Sequence, residues 1–183
     1  MRLLRLITLV TLLCAGLARA QEAAPAQISL LVMLKVITYD TGFAGRGDGD
    51  FVVVIPYLPT QAQALTDASD AVKAMAQSKI QSRALRFVPV PFDQVGKAIA
   101  EQKASAVLLL PGSSDAEVAA AASAAKDGKL YSLSLEPAFV QNKVALGVVN
   151  KDGRPQVLIN LNVTRELGIS FPTSVLKIAR TYQ

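Results

Sequence analysis

The chain has 183 residues, 51% of them hydrophobic, with 19 basic and 14 acidic side chains, one cysteine and no histidine. Without imidazole there is no Ser-His-Asp triad, no Cys-His pair, no His-ligated metal and no side chain that ordinarily titrates near neutrality. The length suits one domain able to bury a core without staples.

At the start, Arg2 and Arg5 precede the apolar run Leu6 to Leu17 and the small-residue stretch Ala18-Arg19-Ala20, the three regions of a secretory signal. The run is too short for an anchor: its residues, at about 1.5 Å each, reach about 18 Å against a hydrocarbon core of roughly 30 Å. Cys14 follows Thr11-Leu12-Leu13, whereas a lipoprotein signal places a small residue ahead of its cysteine. Cleavage is expected after Ala20, so that 1–20 is a leader and 21–183 a single domain. That cut removes Arg2, Arg5 and Arg19, three of the 19 basic residues against an unchanged 14 acidic ones, and the net charge falls to +2. The remaining cations are scattered, so nucleic-acid binding loses its support. The mature chain has no cysteine, which excludes disulfides and thiolate metal sites and leaves stability to apolar packing.

Ile28 to Ile37 is apolar nearly all round, and its periodicity allows either helix or strand. Phe51 to Tyr57, "FVVVIPY", reads as a strand, and Ala64, Leu65, Ala68, Ala71, Val72 and Met75 follow at helical spacing, with Thr60 and Gln63 as a capping box. Arg83 to Val90 is a second strand, followed by a helix that Asp93 can cap and that Gly96 weakens. Ser105 to Pro111 is a buried strand ahead of a third helix, with Ser114 and Glu117 as its capping box and Gly128 at its end. Leu130 to Leu135 is a fourth strand. Lys143 to Val149 and Gln156 to Leu161 flank "NKDGRP", in which Asp152-Gly153 predicts an antiparallel hairpin. Near-continuous apolar strands alternating with helices predict an α/β fold: a mostly parallel central sheet, helices on both faces, then the hairpin and two short helices. There is no repeat and no linker.

The segment "LLVMLKVITYDTGFAGR", Leu30 to Arg46, and the closing "VLINLNVTRELGISFPTSVLKIAR", Val157 to Arg180, resemble the two ends of YfiR-like proteins. The resemblance implies a single periplasmic α/β domain without enzyme activity. It also implies restraint of a membrane-bound signalling partner, a diguanylate cyclase in the best-known systems, by contact with its extracytoplasmic region; a sensor kinase is the other class to consider. Two features depart from the pattern. Tyr39-Asp40 stands where relatives often carry Trp-Pro, and the cysteine pairs of some relatives are missing, so redox control does not transfer.

The remaining motifs have structural readings that outweigh functional ones. "GFAGRGDGD", Gly42 to Asp50, precedes a strand instead of opening a helix, so it is read as a solvated connection and not as a phosphate loop or calcium site. Ser113 and Ser114 lie at a helix N-terminus, but Asp115 and Glu117 already occupy its first turn, so capping is favoured over anion binding. Asn162 is placed as a helix cap before Val163, and Asn160 as a buried amide serving the backbone. In open α/β sheets any site lies beyond the carboxyl ends of the parallel strands. There Tyr57, Phe92, Ser113, Glu136 and Phe139 form the candidate binding rim, either for another protein or for a small apolar ligand; the rings of Phe92 and Phe139 alternatively cap the core. No cofactor and no metal is expected, and homodimerisation stays open.

Overall fold

The computed structural model describes residues 24–75 and 79–183; the expected signal sequence lies outside them. The apolar run near the start is helix α1 (Ala26–Ile37). Leucine and methionine favour a helix and neither glycine nor proline interrupts it, while Leu30, Met33, Leu34 and Ile37 supply a buried stripe at helical spacing.

The predicted elements then enter in order, with one unpredicted strand, β2, among them: β1 (Phe51–Tyr57), α2 (Ala62–Lys73), a two-residue β2 (Lys79–Ile80), β3 (Arg83–Pro91), α3 (Val95–Glu101), β4 (Ala106–Leu109), α4 (Asp115–Asp127) and β5 (Tyr131–Ser134). They are followed by β6 (Leu146–Lys151), β7 (Arg154–Asn160), α5 (Leu161–Glu166), α6 (Thr173–Ile178) and β8 (Arg180–Tyr182). All eight strands form one sheet in the order β2-β3-β1-β4-β5-β6-β7-β8. The block β3-β1-β4-β5-β6 is parallel throughout, which is the flavodoxin-like doubly wound order. Pro56 has no N–H for a ladder, and it lies beyond the two positions at which β1 pairs with β4.

Side chains alternate across the sheet. Phe51, Val53, Ile55, Leu108, Leu133 and Leu146 face α1 and α2 in the main core, whereas Val107 and Leu109 pack against α4, and Val54 and Val90 against α3. The β6–β7 hairpin turns through Asp152 at φ 51° and Gly153 at φ 77°, the two left-handed residues that a two-residue type I′ loop needs. Between β5 and β6 the crossover is the 3₁₀ turn Pro137–Gln141, pressed so closely on β6 that a Cβ at Gly147 would meet Val140 Cγ2 at 2.6 Å.

Local details differ from the sequence expectation in several places. The start of α2 is capped not by Thr60 and Gln63 but by a 3₁₀ turn, Pro59–Gln61, in which Gln61 Oε1 accepts from Leu58 N–H at 2.8 Å; Gln63 instead bonds Asp67 one turn on. Proline at the first position tightens the entry and moves the cap two residues back. Asp93 makes no cap bond, because it lies inside another 3₁₀ turn, Phe92–Gln94. The Ser114–Glu117 box forms as expected, with Ser114 N–H on Glu117 Oε2 at 2.7 Å and Glu117 N–H on Ser114 Oγ at 3.4 Å. At the start of α5 Asn160 is the buried amide serving the backbone, as expected, and it also takes the cap expected of Asn162. Asn160 is the cap, accepting from Asn162 and Val163 N–H at 3.1 Å each, and Asn162 is inside the helix. Strands β2 and β8, of two and three residues, carry too little pattern to be read from sequence.

Candidate functional site

The strand order reverses at β1, which has β3 on one side and β4 on the other, so the ligand crevice of such a fold opens between the ends of β1 and β4. Here Gln61 fills it. Its Nε2 donates to Pro111 O and Ser113 Oγ, both at 3.0 Å, while its Oε1 holds Leu58 N–H. Gln61 is buried, and Gly112, at φ 83°, lets the chain turn against it: a Cβ there would stand 4.0 Å from the amide.

The five rim residues take these positions. Ser113 is buried, donates to Leu110 O at 3.1 Å and accepts from Gln61. Glu136 is half-buried and caps the crossover turn at Ala138 N–H. Phe92 and Phe139, both half-buried, each pack against the core cluster that contains Val107, Leu109 and Val118. Tyr57 packs against the main core on the other face of the sheet, so the sheet separates it from the phenylalanine pair.

At the opposite end, the loop "GFAGRGDGD" is not the plain solvated connection its composition suggests. Phe43 is buried and stacks on Phe51 with ring centroids 6.0 Å apart. Arg46 Nε meets the fully buried Asp40 carboxylate at 2.9 Å, and its other nitrogens donate to Lys129 O and Leu167 O. Asp40 also accepts from Tyr131 OH at 2.7 Å and from the N–H groups of Gly42 and Ser170. Burial pushes the Asp40 pKa up, but the bonds from Ser170, Tyr131, Gly42 and Arg46 outweigh it and hold the carboxyl below its ordinary value. Burial, reinforced by the adjacent carboxylate, drives the Tyr131 phenol well above its own. Glycine and aspartate counts marked this loop as a turn, and they do. What they miss is that one arginine in it closes a buried ion pair with Asp40 and reaches the distant carbonyls of Lys129 and Leu167. An aspartate three residues past the end of an apolar helix was the available signal. Asp48 and Asp50 are exposed, and no group of three or more metal-ligating side chains occurs among the described residues.

A cleft of about 510 Å³ opens elsewhere, between α4 and α5. Its lining includes Ser123, Lys126, Asn142, Asn162, Glu166 and Gln183, and a Lys126–Glu166 ion pair at 3.1 Å spans it. Amides with two cations, Lys126 and Lys143, and one anion can hydrogen-bond a small polar molecule but offer no nucleophile with an adjacent base. A second cleft, about 500 Å³ between α5 and α6, is lined mainly by Leu161, Ile169, Phe171 and Leu176. Sequence reading missed both: the first joins α4 to α5 across three intervening strands, and the second is shaped by how the neighbouring helices α5 and α6 pack. None of the five rim residues lines either one.

Fold and site together define a doubly wound α/β domain whose switch-point crevice is closed by its own glutamine. The chain belongs to the YfiR/HmsC-like family, whose pattern it matches over residues 59–180. That is a family of periplasmic regulatory proteins, regulatory rather than catalytic, whose members act on membrane signalling proteins. No curated protein matches the chain. Among solved structures it is similar to an ABC domain in complex with L-Trp from Streptococcus pneumoniae, at TM-score 0.56 and 16% identity over 87% of this chain and 62% of that one. A conserved domain protein from Vibrio cholerae gives TM-score 0.58 and 16% identity over 88% and 61%. The ligand-free, open form of a substrate-binding protein with adhesive properties from Clostridium difficile gives 0.57 and 11% over 93% and 68%. The chain therefore spans about three fifths of the first two, and at these identities the likeness is one of fold. No described helix is long and apolar enough to cross a membrane.

Proposed function

We propose that this chain is a periplasmic, non-enzymatic regulator that docks on the extracytoplasmic part of a membrane signalling protein, of the diguanylate cyclase or sensor kinase class, and tunes its output. Membership of the YfiR/HmsC-like family carries the reading. The closed crevice supports it, since the place where this fold usually takes a ligand is occupied by Gln61. In this proposal residues 1–20 are the export signal and 21–183 the regulatory domain. The half-buried rings of Tyr57, Phe92 and Phe139 supply contact area at the carboxyl rim, and Ser113 and Glu136 hold its backbone. The test is retention of a specific inner-membrane protein by the tagged chain in solubilised membranes, together with a changed output of that protein when the gene is deleted. No retained protein and unchanged signalling would sink the proposal.

The amide-lined cleft of about 510 Å³ favours a second reading, a small-molecule sensor acting alone or as the input of the regulator. A bound ligand raises the melting temperature by mass action. A metabolite panel should then contain a compound whose stabilising effect disappears in the cleft-filling variant Ser123→Trp, and a flat response across the panel disposes of the reading.

A further inference from the structure

The sheet ends at β8, whose outer edge faces no strand among the described residues, and the surroundings of that edge carry unbalanced charge. Lys151 and Arg154 are direct cross-strand partners at the hairpin tip, and Arg180 stands beside Leu158. Side chains alternate along a strand and Arg154 is four residues from Leu158, so these three cations project from one face of the sheet. Lys177, at the end of α6, adds a fourth exposed cation. None of the four has an ion-pair partner among the described residues, although six pairs form elsewhere. Between the hairpin and the end of α6 lies a cleft of about 450 Å³, lined by Lys151, Asp152, Arg154, Pro155, Gln156 and Ile178, in which Asp152 sets one negative charge against the cations. Ile178 is 74% exposed, the most exposed large apolar side chain described.

We propose that this edge takes up an extended acidic segment of the partner's extracytoplasmic region, added as a strand against β8 with one apolar side chain seated beside Ile178. This inference rests on the docking reading above and gives it a surface. The free edge offers backbone donors and acceptors for strand addition, and the uncompensated cations select an acidic strand and steer its approach. A second copy of this chain is a poor occupant, because it would bring the same cations to the same edge. An anionic membrane would satisfy the charges but leave the strand edge unpaired and the cleft unfilled.

The probe is a short peptide alternating Glu and Val, titrated into the ¹⁵N-labelled protein. Amide shifts are expected to cluster in residues 151–160 and 177–183. Affinity should fall about tenfold or more in Arg154→Glu/Arg180→Glu and stay unchanged in Lys97→Glu on α3, with circular dichroism confirming that each variant folds. The same peptide N-methylated at alternate residues keeps every charge but loses the donors of strand addition, and it should not bind. Shifts elsewhere, undiminished binding of the methylated peptide, or binding to phosphatidylglycerol vesicles with none to the peptide would each overturn the proposal. The membrane pull-down separates the two readings. If the peptide fails while a membrane protein is still retained, the edge is wrong and docking stands; if the peptide binds and no membrane protein is retained, docking is wrong and the edge's preference stands.

Discussion

Asp40 sits at the amino end of the sheet with no solvent on its carboxylate and four partners around it. Its charge is tolerable there only because those partners replace water. Removing the charge in Asp40→Asn strands Arg46 against the Tyr131 ring, 4.8 Å from its centroid, and should cost about 3 kcal/mol in urea unfolding. The lowered pKa sets the pH dependence. The stabilisation from Asp40 is fully present above the unfolded carboxyl value, near 3.8, and is lost as the pH falls through the still lower folded value. Below about pH 4 the wild type should therefore lose stability more steeply than Asp40→Asn. Tyr131→Phe, which removes one donor to the carboxylate, raises the folded value toward the unfolded one, so the acid loss should begin at the same pH but be smaller and be complete at a higher pH. At Gly147 the constraint is space alone. A methyl group would collide with Val140, so Gly147→Ala should destabilise by about 1–3 kcal/mol through overpacking, read as a fall in melting temperature.

At the scale of elements, the most consequential junction is where β7 becomes α5. Asn160 caps the helix through its side-chain oxygen and ties it to the crossover turn through its nitrogen, which donates to Val140 O at 2.8 Å and Gln141 O at 3.2 Å. Two substitutions separate these jobs. Asn160→Asp keeps the cap acceptor but loses both donations and faces two buried carbonyls with a charge; Asn160→Ala loses everything. Both should cost at least about 2 kcal/mol. If only the cap mattered, Asp would restore wild-type stability in a denaturant titration, and that result would refute the bridging role. Asn162→Ala, on the exposed side of α5, should change stability by less than about 0.5 kcal/mol while altering the wall of the cleft.

For the whole molecule, one sheet with a continuous core beneath α1 and α2 predicts a single cooperative unfolding transition. Far-ultraviolet circular dichroism and tyrosine fluorescence should give coincident midpoints, and separated midpoints would contradict the one-domain proposal for residues 21–183. The surface matters as much as the core in a protein proposed to act by contact. Four cations without an ion-pair partner among the described residues stand around the β8 edge, and the half-buried Phe92 and Phe139 pack on one core cluster at the carboxyl rim. The β6–β7 tip, where Lys151 pairs with Arg154, lies at that same carboxyl end.

Sequence alone determined the alternation of strand and helix, the parallel core, the Asp152-Gly153 hairpin, the Ser114–Glu117 cap and the family likeness of the closing segment, which lies inside the matched residues 59–180. Each of these is written in neighbouring residues, where spacing and side-chain chemistry act over a few positions. Tertiary structure alone decided that Asn160 and not Asn162 caps α5, that Gln61 closes the crevice onto Pro111 and Ser113, and that Asp40 pairs with Arg46 and Tyr131. It also decided that β8 completes the sheet. Those outcomes join residues up to 130 positions apart, as Asp40 and Ser170 are. They depend on which groups packing buries together, and a buried polar group takes whatever partner the fold brings within reach.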